Sequence, residues 1–294
     1  MDKINYTFII PHKNSPQYLN QCLNSIPRRE DIQIIIVDDN SDKNIVDWDS
    51  FKFNDPTGIE LVLTTEGKGA GYARNVGISK ANGKWLLFPD ADDYYSNGLL
   101  NTLDKYKDHD LEVIYFNFNI IDESGLLYTK DKIYEYVSQY DGSKQSADIV
   151  KYRLNAPWLK MVRKEFVDKN NIKFEEVPIG NDCFFTLQLG YLSEKYLIIK
   201  DKLYNYIYYK KSMTRRNYDK KKILTQFNLI LRSGYFFKQI GHKEWAHGIF
   251  YVFYELFKYK SLPILVKGTA LLITNLPVCY KSRTIYTDKL HIMV

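Results

Sequence analysis

Cysteine is scarce in this chain of 294 residues, and its pattern excludes two kinds of site. The three cysteines, Cys22, Cys183 and Cys279, are odd in number, lie far apart and form no CxxC pair. Such a pattern indicates neither a disulfide framework nor a zinc site. We therefore expect the protein to work in a reducing compartment.

Long apolar runs are also absent. The residues after Met1 lead into a short strand pattern and lack the apolar stretch of a secretory signal. The most apolar late segment, 264–276, is bounded by Pro263 and Pro277 and interrupted by Lys267, so it is too short to span a bilayer. We expect a cytoplasmic protein, which can still bind the inner face of the cell membrane.

Charge is distributed unevenly. The chain carries +6 overall, but residues 195–294 contain 19 Lys and Arg against 5 Asp and Glu, a net charge of +14, so residues 1–194 sum to −8. A basic solvated face is the common explanation of such a run, and an anionic surface or substrate is the other.

Cations and aromatic residues alternate in this basic part as they do in interfacial helices: Lys258, Lys260 and Lys267 lie among Phe253, Tyr254, Phe257 and Tyr259. Two interpretations stay open, an anionic membrane surface or a helical lid on the catalytic domain. We expect no nucleic-acid partner.

One stretch combines a buried-strand pattern with a cluster of acids. The apolar run 85–88 is followed by Pro89 and then by Asp90, Asp92 and Asp93. Like charges this close repel each other unless a cation or donor groups lie among them. Oxygen ligands favour a hard cation, Mg²⁺ or Mn²⁺, although such clusters also cap helices or occupy solvated turns. An EF-hand is excluded, because a loop starting at Asp90 lacks the required Gly and Glu.

Strand-like and helix-like patterns alternate in the first hundred residues. Strands are predicted from Tyr6 to Ile10, Ile32 to Val37, Ile59 to Leu63 and around Trp85, with helices after Asn14-Ser15-Pro16, from about Tyr72 to Lys80 and near Leu99 to Tyr106. This alternation implies a mainly parallel sheet, whose ligands lie outside the carboxyl ends of the strands. Pro11, Asp39 and the acids of residues 90–93 therefore fall along one edge.

A glycine-rich segment precedes the second helix but matches no phosphate-binding motif. Tyr72 stands where a GxGxxG motif starting at Gly67 needs glycine, and Gly83-Lys84 is followed by Trp85. The small residues still let the backbone approach a ligand, and we expect Arg74, one turn into the helix, to face the same edge.

The pattern changes in the second half of the chain. We predict a strand from Val113 to Ile121 with an antiparallel return, and a helix from Ser146 to Leu154. A break follows at residues 156–160, and residues 181–189 begin a further helix. Asp182 lies in the first turn of that last helix, where an Asp is usually only a favourable charge. Tyrosines alternate in a strand from Tyr204, and helical segments rich in Tyr, Phe and Lys follow.

Four segments, in this order, resemble the motifs of a family 2 glycosyltransferase of the GT-A fold, a group that builds bacterial capsule and surface polysaccharides. They are Phe8-Ile9-Ile10-Pro11 with Asn14, Ile35-Ile36-Val37-Asp38-Asp39-Asn40-Ser41, Gly71-Tyr72-Ala73-Arg74-Asn75-Val76-Gly77 and Phe88-Pro89-Asp90-Ala91-Asp92-Asp93. The resemblance implies an α/β fold, with a Rossmann-like, mainly parallel sheet, a mixed acceptor-side half and a helical C-terminal extension. The expected boundaries are 1–215 for the catalytic domain, with a nucleotide-sugar half at 1–100 and an acceptor half at 101–215, and 216–294 for the basic helical region.

The resemblance also implies a donor site. By it, Pro11 and Asp39 line the nucleotide pocket, with Asp39 facing uracil and Arg74 nearby. Asp90 and Asp92 form the DxD pair that holds Mn²⁺ or Mg²⁺ on the diphosphate of a UDP-sugar, with Asp92 as the main ligand. Such a metal would neutralise the charge of the departing nucleotide.

On the acceptor side, the resemblance makes Asp182 the catalytic base. Trp158 and Lys160 match a Trp-x-Lys element near the acceptor, and Ser212 and Thr214 match a Ser-x-Thr element of unassigned role. The implied reaction is inverting transfer of a sugar to a hydroxyl of a saccharide or lipid-linked saccharide.

Two departures from the family pattern leave alternatives open. Lys13 stands where an aromatic residue often stacks on the base, and Asn181 replaces the Glu that usually precedes the catalytic Asp. A sugar nucleotidyltransferase would need a basic Gly-rich loop after the first strand, where residues 12–16 offer only Lys13. A non-catalytic nucleotide-sugar binder would keep Asp39 and Asp92 and show no turnover.

Overall fold

The computed structural model describes residues 4–128, 135–209, 219–247, 251, 254, 255 and 257–281. Ser212, Thr214 and Phe253, which the sequence patterns singled out, lie outside these residues. The chain divides into two compact units, one made of Met1–Val177 and Asn181–Arg216, and the other of Pro178–Gly180 and Asn217–Val294.

The first unit is built on one sheet of eight strands in the order β3-β2-β1-β4-β7-β6-β8-β5. The strands are β1 (Tyr6–His12), β2 (Ile32–Asp39), β3 (Ile59–Thr64), β4 (Trp85–Leu87), β5 (Tyr94–Tyr95), β6 (Val113–Asp122), β7 (Lys160–Arg163) and β8 (Tyr196–Tyr208). Strands β1 to β4 are mutually parallel, β7 runs antiparallel to its neighbours β4 and β6, and β6 and β8 are parallel to each other. The predicted mainly parallel sheet with a mixed second half is confirmed.

Helices accompany the strands, and nine α-helices have bounds that lie within the described residues. They are α1 (Pro16–Asn24), α2 (Ala70–Lys80), α3 (Leu99–Leu103), α4 (Glu135–Ser138), α5 (Lys144–Arg153), α6 (Lys164–Lys169), α7 (Cys183–Leu192), α8 (Lys220–Gln239) and α9 (Leu262–Lys281). A short 3₁₀ turn, Pro157–Leu159, lies where a break was predicted.

The core lies on the central strands because their residues are apolar on both faces. In β1 and β2 nearly every side chain is buried, as expected of parallel strands covered on two sides. Helix α2 packs closely on this surface. A Cβ atom on Gly77 would lie 2.3 Å from Cγ2 of Ile9, so only glycine allows this approach.

Several predicted boundaries were wrong. Strand β1 continues through Pro11 to His12, because β2 pairs beside it as far as His12 with Asp38. Helix α3 ends at Leu103. The predicted antiparallel return after β6 is, within the described residues, a single bridge between Ile121 and Leu127.

The second unit pairs two long helices. Phe227 and Ile230 of α8 form a small apolar cluster with Leu265, Leu271 and Leu272 of α9. The two prolines expected to bound the apolar segment lie inside α9. Pro263 is tolerated there because the first helical turn needs no N–H donor. Among the described helices, none combines the length and the hydropathy of a bilayer-spanning segment.

Candidate active site

Asp39 ends β2 and is almost completely buried, with 2% of its surface exposed. Its Oδ2 accepts hydrogen bonds from the backbone N–H of Gly69 at 2.9 Å and from Nζ of Lys13 at 3.1 Å. Its Oδ1 is buried and has no hydrogen-bond partner. A buried acceptor without a donor is costly in a folded protein, so Oδ1 is suited to an N–H group of a ligand.

Buried hydrogen bonds between side chains join the ends of β1 and β2, and the sequence patterns did not predict them. Nδ1 of His12 lies 2.9 Å from Oδ1 of Asp38, and that carboxylate also accepts from Oγ and the backbone N–H of Ser41. These bonds fix the turn after Asp39. The only sequence signal was a polar residue at the end of each strand.

The glycine-rich segment serves packing as well as access. Gly67 and Gly69 have φ angles of +61° and +98°, which glycine adopts without strain. A Cβ on Gly71 would lie 2.1 Å from the carbonyl oxygen of Glu175. The prediction that small residues here admit a ligand is therefore wrong for Gly71, where the close neighbour is the protein's own backbone.

Arg74 lies on α2 and connects two parts of the site. Its guanidinium is buried and donates to Oδ1 of Asp90 at 2.6 Å and to Oδ1 of Asn181 at 2.9 Å. The same group lies 5.2 Å from the ring centroid of Phe174. Arg74 thus joins the acids after β4 to the residue that precedes Asp182.

The three acids after β4 have different surroundings. Asp90 forms the ion pair with Arg74. Burial, and secondly the charge of Asp90, raise the pKa of Asp92 to about 6. Asp93 is buried and accepts hydrogen bonds from the backbone N–H of Ile207 and from the hydroxyl of Tyr204. Asp93 therefore ties the loop to β8.

Asp90 and Asp92 carry the carboxylate oxygens that a hard divalent cation prefers as ligands. Among the described residues no group of three His, Cys, Asp or Glu is arranged to hold a metal ion. Mg²⁺ bound together with substrate phosphates, however, commonly uses only one or two carboxylates. The raised pKa of Asp92 has the sign expected where a cation would relieve repulsion between two acids.

Asp182 is the N-cap residue of α7 and immediately precedes the first helical residue, Cys183, whereas the prediction placed Asp182 within the first turn. Its side chain makes no capping hydrogen bond, so the simple role of a helix cap does not account for it. Burial raises the pKa of Asp182 above the ordinary value, while the nearby positive charge of Arg74 acts in the opposite direction. A carboxylate with a raised pKa is a stronger base.

Trp158 and Lys160 are both buried, and Lys160 is the first residue of β7. The Trp158 ring, 9% exposed, stacks at 4.6 Å on Tyr204 and at 5.6 Å on Tyr206. Nζ of Lys160 donates to the carbonyl oxygens of Leu154 at 2.9 Å and Ala156 at 2.7 Å. Burial lowers the pKa of Lys160 to about 7. These are packing roles, and contact of either residue with an acceptor stays a prediction.

Comparison with known proteins identifies relatives of the chain. GlyG, a glycosyltransferase of Streptococcus pneumoniae, is 30% identical over 230 residues, which span 72% of this chain and 73% of GlyG. GlyA of the same species is 26% identical over 225 residues, which span 73% of this chain but only 32% of GlyA.

A solved structure shares the fold. TarS of Staphylococcus aureus, residues 1–349 in complex with UDP-GlcNAc, matches with a TM-score of 0.65 at 18% identity, over 90% of this chain and 79% of that one. Full-length TarS is a poly(ribitol-phosphate) β-N-acetylglucosaminyltransferase, and the aligned residues span 68% of this chain and 35% of TarS. The predicted GT-A fold is confirmed.

The family model of Glycosyl transferase family 2 matches residues 7–171, more than half of the chain. This range contains Asp39, Arg74, Asp90 and Asp92, and ends before Asp182. The chain belongs to glycosyl transferase family 2.

Proposed function

We propose that this chain is an inverting glycosyltransferase, which moves a sugar from a UDP-sugar to an acceptor hydroxyl in surface polysaccharide synthesis. The observation that carries the proposal is the bridge made by Arg74. Arg74 donates to Asp90, a candidate residue of the site that holds the donor diphosphate, and to Asn181, which precedes the candidate base Asp182. Both halves of a transfer reaction would then meet at one place.

The donor is proposed to bind with its base at Asp39. Oδ1 of Asp39 is buried and has no hydrogen-bond partner. It would accept a hydrogen bond from the N3–H group of uracil. Pro11, the next-to-last residue of β1, pairs with Val37, two positions before Asp39 on β2, and is proposed to line the same pocket. The UDP-GlcNAc complex of TarS supports a uridine nucleotide.

Asp92 and Asp90 would hold Mn²⁺ or Mg²⁺, with Asp92 as the main ligand. When bound, the cation would supply positive charge to the diphosphate leaving group. Arg74 would keep Asp90 oriented and add a second positive charge nearby. The chain's own contribution is thus a fixed electrostatic surface for a departing nucleotide.

Asp182 is proposed as the general base. An acceptor hydroxyl has a pKa far above 7, so a carboxylate must take its proton as the new bond forms. A single displacement with one such base inverts the anomeric centre. The raised pKa of Asp182 supports this role, because it strengthens the base.

A second proposal concerns the basic second unit, which we assign to an anionic membrane surface where a lipid-linked acceptor would lie. On α9 an apolar face that includes Leu262, Val266 and Ile273 is exposed, next to Lys267. Tyr254 and Phe257 are exposed as well. Exposed apolar side chains interspersed with lysine favour an interface with anionic lipid, at about 1 kcal/mol per basic residue near the surface.

The test is a nucleotide-release assay with a panel of UDP-sugars, GDP-mannose and a CDP-sugar, each with Mn²⁺ and with EDTA. We expect release of UDP that depends on both Mn²⁺ and an added saccharide acceptor. UDP binding without turnover on any donor or acceptor would favour the non-catalytic nucleotide-sugar binder. Release from GDP-mannose alone would refute the assignment of uridine.

A further inference from the structure

The loop that carries Asp90 and Asp92 is held by a hydroxyl group from a strand residue that lies 114 positions beyond Asp90 in the chain. Tyr204 lies in β8, and its side chain is completely buried. Its Oη accepts a hydrogen bond from the backbone N–H of Asp90 at 3.0 Å and donates one to Oδ2 of Asp93 at 3.0 Å. A phenolic hydroxyl has one proton and can also accept, so both bonds form at once.

Asp93 completes the connection between the loop and the strand. Its Oδ1 accepts from the backbone N–H of Ile207 at 2.7 Å, and its own N–H donates to the carbonyl oxygen of Asp90 at 3.2 Å. The next residues, Tyr94–Tyr95, pair with β8 in antiparallel fashion. The loop is therefore fastened to β8 at its first and last residues, while the Asp92 side chain between them is not part of this connection.

The position of the Tyr204 hydroxyl is itself set by packing. Trp158 stacks on the Tyr204 ring at a centroid distance of 4.6 Å and an angle of 16°. Tyr95 packs against the same ring with its edge, at 5.1 Å and 79°. Rings packed in these ways have little freedom to rotate or shift, so the hydroxyl is held in place before any ligand arrives.

We propose that Tyr204 is a positioning residue for the candidate cation site, because its hydroxyl fixes the backbone of Asp90 and with it the separation of the Asp90 and Asp92 carboxylates. The inference rests on the proposed function. A residue that orients a metal ligand commonly changes metal affinity about tenfold to a hundredfold when it is lost. Tyr204 would act through Asp90 and would touch neither the cation nor the substrate.

Tyr204→Phe tests this, since it keeps the ring and removes only the hydroxyl. The matched control is Tyr95→Phe, because the Tyr95 hydroxyl is buried next to Tyr204 and has no hydrogen-bond partner. UDP is titrated into each full-length variant by calorimetry, with Mn²⁺ and with EDTA. For Tyr204→Phe we expect affinity to fall about tenfold or more with Mn²⁺ and to stay unchanged in EDTA. For Tyr95→Phe we expect parental affinity in both.

A merely structural role gives a different pattern. Equal losses with and without Mn²⁺, unchanged affinity, or a Tyr204→Phe chain that does not fold would each overturn the proposal. If Mn²⁺ adds nothing to UDP binding in the parent, the proposed metal role fails. The positioning role is then judged by hydrogen exchange of the Asp90 amide in the ligand-free protein. We expect about tenfold faster exchange in Tyr204→Phe and parental exchange in Tyr95→Phe, and unchanged exchange in Tyr204→Phe would overturn the inference.

Discussion

Replacing Asp92 by Asn should stabilise the ligand-free protein while removing its response to Mn²⁺. Burial and the charge of Asp90 raise the pKa of Asp92 from 3.8 to about 6. An acid whose pKa is higher in the folded chain binds its proton more tightly there than in the unfolded chain. The fold therefore loses stability as the pH rises from 3.8 to about 6, and above that range the full penalty is present.

The size of the penalty follows from the shift. About two pKa units correspond to about 3 kcal/mol at neutral pH. Asp92 is partly exposed, and solvent reduces the contribution of the Asp90 charge. We therefore expect Asp92→Asn to raise the free energy of unfolding by about 1–2 kcal/mol at pH 7 and by almost nothing near pH 4.

Urea unfolding followed by circular dichroism, between pH 4 and pH 7.5 in EDTA, measures this difference. Asp90→Asn is the contrasting variant, because it leaves the buried Arg74 without its ion-pair partner and should destabilise the fold. Mn²⁺ with UDP should raise the melting temperature of the parent by mass action and leave that of Asp92→Asn nearly unchanged. If Asp92→Asn is no more stable than the parent at pH 7, burial and the charge of Asp90 do not destabilise the Asp92 carboxylate, and the prediction is wrong.

Three further predictions address the base, the packing and the surface. Asp182→Asn should lower kcat about a hundredfold to ten-thousandfold with donor affinity unchanged, as seen by single-turnover rates beside calorimetry; transfer at the parental rate would place the base elsewhere. Gly71→Ala should cost about 1–3 kcal/mol in urea unfolding, since its Cβ would lie 2.1 Å from a carbonyl oxygen, whereas Gly234→Ala, with its nearest neighbour at 3.6 Å, should cost nothing. The protein should float with phosphatidylglycerol vesicles at low salt and not with phosphatidylcholine vesicles, and absence of the first would contradict the membrane proposal.

The sheet could be predicted because its signals are local. Runs such as Ile32 to Val37 specify buried strands without reference to the rest of the chain, and the rule for parallel sheets then places Asp39 and the acids after β4 along one edge. Helix starts were equally readable, as at Pro16. Boundaries failed where a neighbouring strand decided them, as when β2 extends β1 through Pro11.

Contacts across the sheet could not be predicted, because they join residues far apart in the chain. Arg74 donates to Asn181 across 107 positions of the chain, and Tyr204 donates to Asp93 across 111. In the sheet, β7 lies between β4 and β6, and β8 lies on the other side of β6. No local pattern encodes that order. Lys160 shows the same limit: the sequence placed it near an acceptor, while the fold buries its ammonium against two backbone carbonyls.

The three acids after β4 illustrate what the fold adds to a motif. By sequence they are equivalent carboxylates within four positions. In the structure one oxygen of Asp90 is taken by Arg74, and both oxygens of Asp93 are taken by β8. Burial, and secondly the charges of neighbouring carboxylates, raise the pKa of both Asp92 and Asp93, but the Asp93 oxygens already accept hydrogen bonds from β8, whereas the Asp92 side chain takes no part in that connection. A cation bound here relieves repulsion chiefly at Asp92. We therefore expect substitution of Asp92 to change metal affinity most, and substitution of Asp90 to act mainly by breaking its ion pair with Arg74.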